Sequence, residues 1–384
     1  MNKKSLKKSI LFTIGTRPEA IKMAPLIKEF EENSQYETIL CLTGQHREIL
    51  DQVTQLFKLK IHYDLNLMKE NQSLHDLGFL ITSKMNAIIK ECQPSLCFVQ
   101  GDTTTTFATA LACFYSKIKV GHIEAGLRSH RKNDPFPEEI NRRLTSQLSD
   151  FHFTPTKRAS LKLLHEGFQE ESIFQTGNTI VDALYMIEKM SKNSEIKFED
   201  KILEELVENP VHKIILVTLH RRENFGSSME KVMNAIKTLA LLHQKDHVHI
   251  VFPVHPNPNV QKMSYSILGD VKNIHLTAPL PYHQFIYLMK RSYFILSDSG
   301  GVQEEAPYLH RPVLLLRNTT ERPEGVECGN IKMVGTEYDR IIFESNTLLQ
   351  DEKYYSEMSR PSQPFGDGMA CKKIRAIVEQ IIPA

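Results

Sequence analysis

Short apolar runs recur along the chain. Each ends in a polar or glycine-bearing turn and is followed by helical spacing. Ser9 to Ile14 is the first such run; Gly15-Thr16-Arg17-Pro18-Glu19 closes it, and a helical pattern continues from Ala20 to Phe30. Glu37 to Thr43 leads through Gly44-Gln45-His46-Arg47 into a helix over Glu48 to Phe57. Ser73 to Cys92 reads as a long helix, with Leu74, Leu77, Leu80, Ile81, Met85, Ile88 and Ile89 on one broad face. Leu96 to Gln100 then delivers Gly101-Asp102 and the threonines 103–106, a small-residue helix follows over Thr105 to Ser116, and Val120 to Ile123 delivers Glu124. Phe151 to Thr154 and Ser172 to Thr176 read as further strands, the second followed by Gly177-Asn178-Thr179 and a helix through Met190.

The charged stretch Ser191 to Pro210 predicts a helix bridging two domains, after which the alternation restarts. Lys213 to Thr218 is a strand ending in Leu219-His220-Arg221-Arg222-Glu223-Asn224, Met229 to His243 a helix, and His247 to Val254 a strand ending in His255-Pro256. Tyr282 to Lys290 is a helix and Tyr293 to Leu296 a strand that opens into Ser297-Asp298-Ser299-Gly300-Gly301. Strands at Val313 to Leu316 and Ile331 to Val334, the turn Pro364 to Gly368 and a helix over Met369 to Ile382 complete the chain. Strands alternating with helices predict two doubly wound α/β halves, each with its strand ends facing a cleft.

Composition narrows the function. At 384 residues the chain suits two domains, and 41% hydrophobic content supports packed cores. A net charge of +1 gives no field drawing it to nucleic acid or to a membrane. Four lysines precede Ile10 to Ile14, but that apolar run stops at Gly15 and carries no cleavage signal, and no stretch has bilayer length. The expected compartment is the cytoplasm. The six cysteines form no CxxC pair, so reduced thiols are expected. No pair among His46, His122, His220 and His255 shows HxH or HExxH spacing, so no metal site is expected; GxGxxG and the P-loop are missing, which argues against a nicotinamide cofactor.

Asp102 and Glu124 follow neighbouring strands of a parallel sheet, so both fall on the edge where open α/β sheets bind ligands. Two carboxylates there could share acid/base work. The plainer alternative has Asp102 capping a helix and Glu124 pairing with Arg128. Arg17 and Lys22 lie near a positive helix end that could hold an anion, or are simply solvated. Glu138 suits the first turn of its helix, and becomes catalytic only if the preceding loop lies beside the site. His220 follows a strand end among arginines, where an imidazolium could meet a departing diphosphate. Ser299, Gly300 and Gly301 form a turn that could cradle a diphosphate on backbone N–H groups, with Glu304 and Glu305 behind it as acceptors for ribose hydroxyls.

Taken together, GTRPEAIKMAP (15–25), TGQH (43–46), GDTTT (101–105), HIEAGLR (122–128), PEEINR (137–142), TGNT (176–179), HRREN (220–224), DSGG with QEE (298–305) and TTERPE (319–324) resemble the non-hydrolysing UDP-N-acetylglucosamine 2-epimerases, in order and over about residues 9 to 382. The resemblance implies a glycosyltransferase-B-like fold: two Rossmann-like doubly wound domains with a cleft between them, 1–185 with a final helix 369–384 packing back on it, and 186–368 binding UDP. It implies reversible interconversion of UDP-GlcNAc and UDP-ManNAc, by anti elimination of UDP to 2-acetamidoglucal and syn re-addition, with neither metal nor nicotinamide. A hydrolysing relative releasing free ManNAc and UDP is the alternative. Carried over by motif, Asp102, Glu124 and Glu138 correspond to the essential acids, and His220 to the histidine near the diphosphate. Arg17 and Ser299 correspond to phosphate ligands, with Gly300 and Gly301 in the UDP-binding turn, Glu305 to the ribose ligand and Lys22 to a supporting cation. Gln45, His46, Arg221 and His255 match a second, allosteric UDP-GlcNAc site, while Glu48 and Asn71 stand where relatives have Gln and Arg. The resemblance also implies a homodimer and a place supplying surface polysaccharide.

Overall fold

A computed structural model of the chain describes residues 8–32, 35–44, 47–67, 72–192, 196–221 and 224–383. It divides into two compact units, 1–186 with 365–384, and 187–364. The turn Phe365–Gly368, placed by the sequence in the second domain, packs in the first. Asn178 donates its backbone N–H to Phe365 O at 2.7 Å, and Gly366 lies against Gly177, where a Cβ on either glycine would stand 3.0–3.3 Å from the other's Cα, closer than ordinary contact.

The first unit alternates β1 (Lys8–Ile14), α1 (Arg17–Glu31), β2 (Tyr36–Leu42), α2 (Arg47–Leu56), β3 (Tyr63–Asp64), α3 (Leu74–Cys92), β4 (Leu96–Gln100), α4 (Thr104–Tyr115), β5 (Val120–Ile123), α5 (Glu138–Leu148), β6 (Phe151–Thr154), α6 (Lys157–His165), β7 (Ile173–Gln175) and α7 (Thr179–Lys192). Its strands form one parallel sheet in the order β3-β2-β1-β4-β5-β6-β7. The order reverses between β1 and β4, which makes the crevice at their carboxyl ends the topological switch point. Helices cover the strands, so β4 is buried along its whole length and reads as a continuous apolar run rather than an alternating one. Phe12, Phe30, Phe98 and Phe153 pack below that crevice, with ring centroids 5.3–5.8 Å apart, and each contributes roughly 1.5–3 kcal/mol by leaving water.

The second unit repeats the plan. α8 (Lys201–Glu208), β8 (Lys213–Thr218), α9 (Ser227–Leu242), β9 (Val248–Pro253), α10 (Pro258–Leu268), β10 (Ile274–Thr277), α11 (Tyr282–Arg291), β11 (Phe294–Ser297), α12 (Gly300–Glu305), β12 (Val313–Leu315), α13 (Pro323–Glu327), β13 (Ile331–Met333), α14 (Tyr338–Gln350) and α15 (Glu352–Met358) follow in order. The sheet is again parallel, β10-β9-β8-β11-β12-β13, with its switch point between β8 and β11. The helix predicted across Ser191 to Pro210 is not one helix. α7 ends at Lys192, and α8 starts afresh at Asp200, whose carboxylate accepts the N–H groups of Ile202 and Leu203, while Phe198 is buried between them. The six cysteines are all free, and among the described residues no helix is long and apolar enough to cross a membrane.

The last helix, α16 (Ala370–Ile381), returns to the first unit. Buried Asp182 accepts the backbone N–H groups of Ala370 at 3.2 Å and Cys371 at 3.0 Å, which places a carboxylate on the helix N-terminus. Arg375 pairs with Glu29 of α1, and Tyr36 donates its hydroxyl to Ile382 O. Truncating Asp182→Ala leaves two buried donors without an acceptor. It is expected to cost about 1–3 kcal/mol in urea unfolding and to raise hydrogen exchange selectively over α16; unchanged protection there would mean that Asp182 does not hold the helix.

Candidate active site

The first switch point collects the acids. Glu124 follows β5 with a left-handed backbone (φ +66°), unusual for a residue other than glycine, which turns its side chain back across the strand ends. Its carboxylate accepts Gln100 Nε2 from the end of β4 at 2.6 Å and pairs with Lys22 of α1. Lys22 and Glu124 are both almost fully buried, with side-chain exposures of 8% and 5%. The plainer pairing with Arg128 does not form: Arg128 instead makes a two-point bridge to Glu166, at 2.8 Å for each contact.

Asp102 does not cap α4. Thr103 does, accepting the N–H of Thr106 at 3.2 Å, and Asp102 pairs with Arg142 of α5. Asn141 of the same helix donates to the Asp102 carbonyl at 3.0 Å. Glu138 opens α5, so one helix both carries the third acid and grips the first. Its neighbour Glu139 is buried and accepts the N–H groups of Ser129 and His130, tying down the loop that leads into the helix. His122 donates Nε2–H to Gly101 O at 2.8 Å, which fixes the turn just before Asp102. Arg17 opens α1 and is half-buried; Gly15 ahead of it lets the bonded Thr43 and Thr105 hydroxyls pass where a Cβ would collide.

The second switch point collects a histidine and arginines. Asp298, fully buried at the end of β11, accepts the backbone N–H groups of His220 at 3.1 Å and Arg221 at 3.0 Å and the amide of Asn224 at 3.0 Å. The His220 Nδ1 lies 3.2 Å from the same carboxylate, so Nε2 is the nitrogen turned away from Asp298. Burial lowers the His220 pKa, against the pull of Asp298. The Ser299 hydroxyl does not cap α12, and Ser299 N–H is used by Ser297 Oγ at 2.9 Å. A Cβ on Gly300 would meet Arg322 at 3.0 Å and Arg221 at 3.3 Å, so this glycine makes room for two guanidinium groups. Gly301 follows in the same turn, and Glu305 accepts the Tyr282 hydroxyl at 3.0 Å. Glu304 instead faces inward and bonds Arg322 Nε at 2.6 Å.

Arg221 Nη2 reaches Glu321 at 3.7 Å, and the His255 ring stacks on His220 with centroids 5.8 Å apart. Gln45 and His46 lie outside the described residues. Several residues escaped the sequence reading. Arg142 and Asn141 stand four and three positions after Glu138, a same-face spacing that could have flagged them. Gln100, Asp298 as the partner of His220, and the buried trio Arg317, Glu321 and Arg322 carry no local signal. Arg322, Arg317 and Arg221 hold the Glu321 carboxyl well below the usual range despite its burial. Among the described residues no group of three or more His, Cys, Asp or Glu side chains is arranged to hold a metal ion.

A pH dependence follows. Burial lowers His122 to about 4, opposed by the Gly101 carbonyl and Asp102 and reinforced by Arg128 and Arg142. Burial, His122 and Arg128 lower His152 to about 3. In the unfolded chain both titrate near 6.5. Above that value neither state binds the protons; below it the unfolded chain takes up protons that the fold refuses, so stability falls from about pH 6.5 towards pH 4. His152→Phe, which keeps the edge contact with Phe168, should flatten the loss in urea-unfolding stability between about pH 7 and about pH 5; an unchanged slope would contradict the assignment.

The family model for UDP-N-acetylglucosamine 2-epimerase matches residues 28–379. A UDP-N-acetylglucosamine 2-epimerase of Campylobacter jejuni is 49% identical over 370 residues, covering 96% of each chain, and one of Escherichia coli K12 is 46% identical over 370 residues, covering 95% of this chain and 96% of its own. The crystal structure of UDP-GlcNAc 2-epimerase from Neisseria meningitidis bound to UDP-GlcNAc superposes with a TM-score of 0.91 at 44% identity, covering 97% of this chain and 100% of that one. A glycotransferase of kitacinnamycin shares the fold at 11% identity and a TM-score of 0.64, covering 98% of this chain and 100% of that one.

Proposed function

Since the chain belongs to the UDP-N-acetylglucosamine 2-epimerase family, whose two parallel-sheet domains are of the glycosyltransferase-B type, we propose that it interconverts UDP-GlcNAc and UDP-ManNAc without hydrolysing them. The reaction is read as anti elimination followed by syn re-addition. A carboxylate takes the C2 proton while the anomeric C–O bond breaks, leaving 2-acetamidoglucal and UDP; UDP then re-adds at C1 as a proton returns to C2 on the other face. Only a proton leaves and returns at C2 and no hydride moves, so the route as read assigns no step to a nicotinamide or a metal.

The observation that carries this reading is the set of acids at the first switch point, with Glu124 and Asp102 each fixed by its own partners. Glu124 is fixed by Lys22 and Gln100, Asp102 by Arg142, and Glu138 rides on the helix that holds Asp102. Weak C–H acidity demands a positioned base, and these side chains are positioned. Arg17 is assigned to phosphate and Lys22 to support of the neighbouring acid. In the second domain His220, Ser299, Gly300 and Gly301 are assigned to the diphosphate and Glu305 to the ribose. A diphosphate near His220 would raise its pKa and make the imidazolium available when charge builds on the leaving UDP. Arg221, His255, Gln45 and His46 are assigned to an activating second UDP-GlcNAc. Cytoplasmic location, supply of ManNAc units to a surface polysaccharide and a homodimer complete the proposal.

Proton NMR of UDP-GlcNAc with the enzyme alone should show UDP-ManNAc accumulating to equilibrium; free ManNAc and UDP as the products would establish the hydrolysing alternative instead. Asp102→Asn and Glu124→Gln should each lower turnover by about 10²–10⁴-fold while calorimetry shows UDP binding retained. Near-normal turnover in either variant removes that residue from the chemistry.

A further inference from the structure

One side chain joins the turn that bears Arg17 to the turn that bears Asp102. Glu19, on the first turn of α1, is 2% exposed. Its Oε2 accepts the backbone N–H groups of Gly15 at 2.7 Å and Thr16 at 2.6 Å, both in the turn after β1. Its Oε1 accepts the hydroxyls of Thr103 at 2.5 Å and Thr106 at 3.1 Å, both in the first turn after β4. Each oxygen therefore serves a different turn across the switch point. A first-turn acid placed only to meet the helix dipole would be solvated; this one is buried and fully engaged, an arrangement that costs several kcal/mol in desolvation unless its donors are held in place.

We infer that Glu19 is a positioning residue for epimerisation, a strut that sets the distance and register between Arg17 and Asp102. The inference rests on the reading above, in which Arg17 holds phosphate and Asp102 acts at sugar C2. Phosphate contact and proton transfer then share one rigid reference, so a shift of either turn moves C2 relative to its base. Burial raises the Glu19 pKa while the bonds from Thr103, Gly15 and Thr16 oppose it, consistent with a buried carboxylate compensated by the donors of the two turns.

The test separates reach from charge. In Glu19→Gln the amide oxygen can still face Gly15 and Thr16, and its NH₂ can face Thr103, whose oxygen accepts; the Thr106 hydroxyl already has a second acceptor in Gln100 O at 2.6 Å. In Glu19→Asp the charge remains, but the chain is shorter by one carbon–carbon bond, about 1.5 Å, and cannot span both turns. The Gln variant should keep kcat within about tenfold of the parent, while the Asp variant loses roughly a hundredfold, with KM for UDP-GlcNAc within a few-fold in each. The opposite order, Asp active and Gln inactive, would make Glu19 a charge and overturn the strut. Rate losses that only match the loss of folded protein, followed by thermal melting, would also overturn it. Amide hydrogen exchange of Glu19→Asp reads the tie without any turnover: protection should fall over both 15–20 and 101–107, and unchanged protection at either turn overturns the inference. A parent enzyme that produces no UDP-ManNAc would defeat the functional reading, while the exchange result would still decide the strut.

Discussion

A carboxylate withdrawn from water is tolerated only where donors are already in place, and both switch points are built under that constraint. Glu124 is met by Lys22 and Gln100, Glu19 by four donors from two turns, and Asp298 by the N–H groups and amide that follow β8. The donors come from different strands and helices. Only a parallel sheet whose order reverses at that point brings them to one crevice. Fold and site are thus specified together: the phenylalanine core beneath the first sheet holds β1 and β4 side by side, and the charged groups above it fix the turns that leave them.

The same economy explains why the acids differ in setting. Glu124 is enclosed, with a cation and an amide on its carboxylate. Asp102 is more open, with 28% of its side chain exposed, and is held mainly from one side by Arg142. Two carboxylates with unlike surroundings suit a reaction that removes a proton on one face of a sugar and returns it on the other. In the second domain Asp298 directs Nε2 of His220 away from itself, while Gly300 yields its side-chain volume to Arg221 and Arg322. That brings two guanidinium groups to the turn that the proposal assigns to the diphosphate.

Much of the architecture is legible because buried parallel strands must be short and apolar. β4, β5, β6 and β8 stand at or within one residue of the ends read from sequence. β10 was missed because an edge strand is partly solvated, and its Ile-His-Leu-Thr carries little apolar signal. The charged stretch after Ser191 read as one helix because α7 and α8 each present polar faces; the break is marked only by the Asp200 cap and by Phe198 turning inward. At the site, the residues at strand ends were legible and their partners were not. Arg142 is 40 positions from Asp102, and Asp298 is 78 from His220, so each pairing is a product of topology rather than of local sequence. Glu19 shows the limit most clearly: its position is that of an ordinary helix-start acid, and only the fold reveals that it spans two turns.

The central claim is that an enzyme carboxylate removes the proton at sugar C2. Epimerisation of UDP-GlcNAc in deuterium oxide, followed by proton NMR and mass spectrometry, measures that step directly. UDP-ManNAc should carry one deuterium at C2, with loss of the H2 signal keeping pace with product formation. UDP-ManNAc that retained its original C2 hydrogen would contradict proton removal and, with it, the roles given to Asp102 and Glu124.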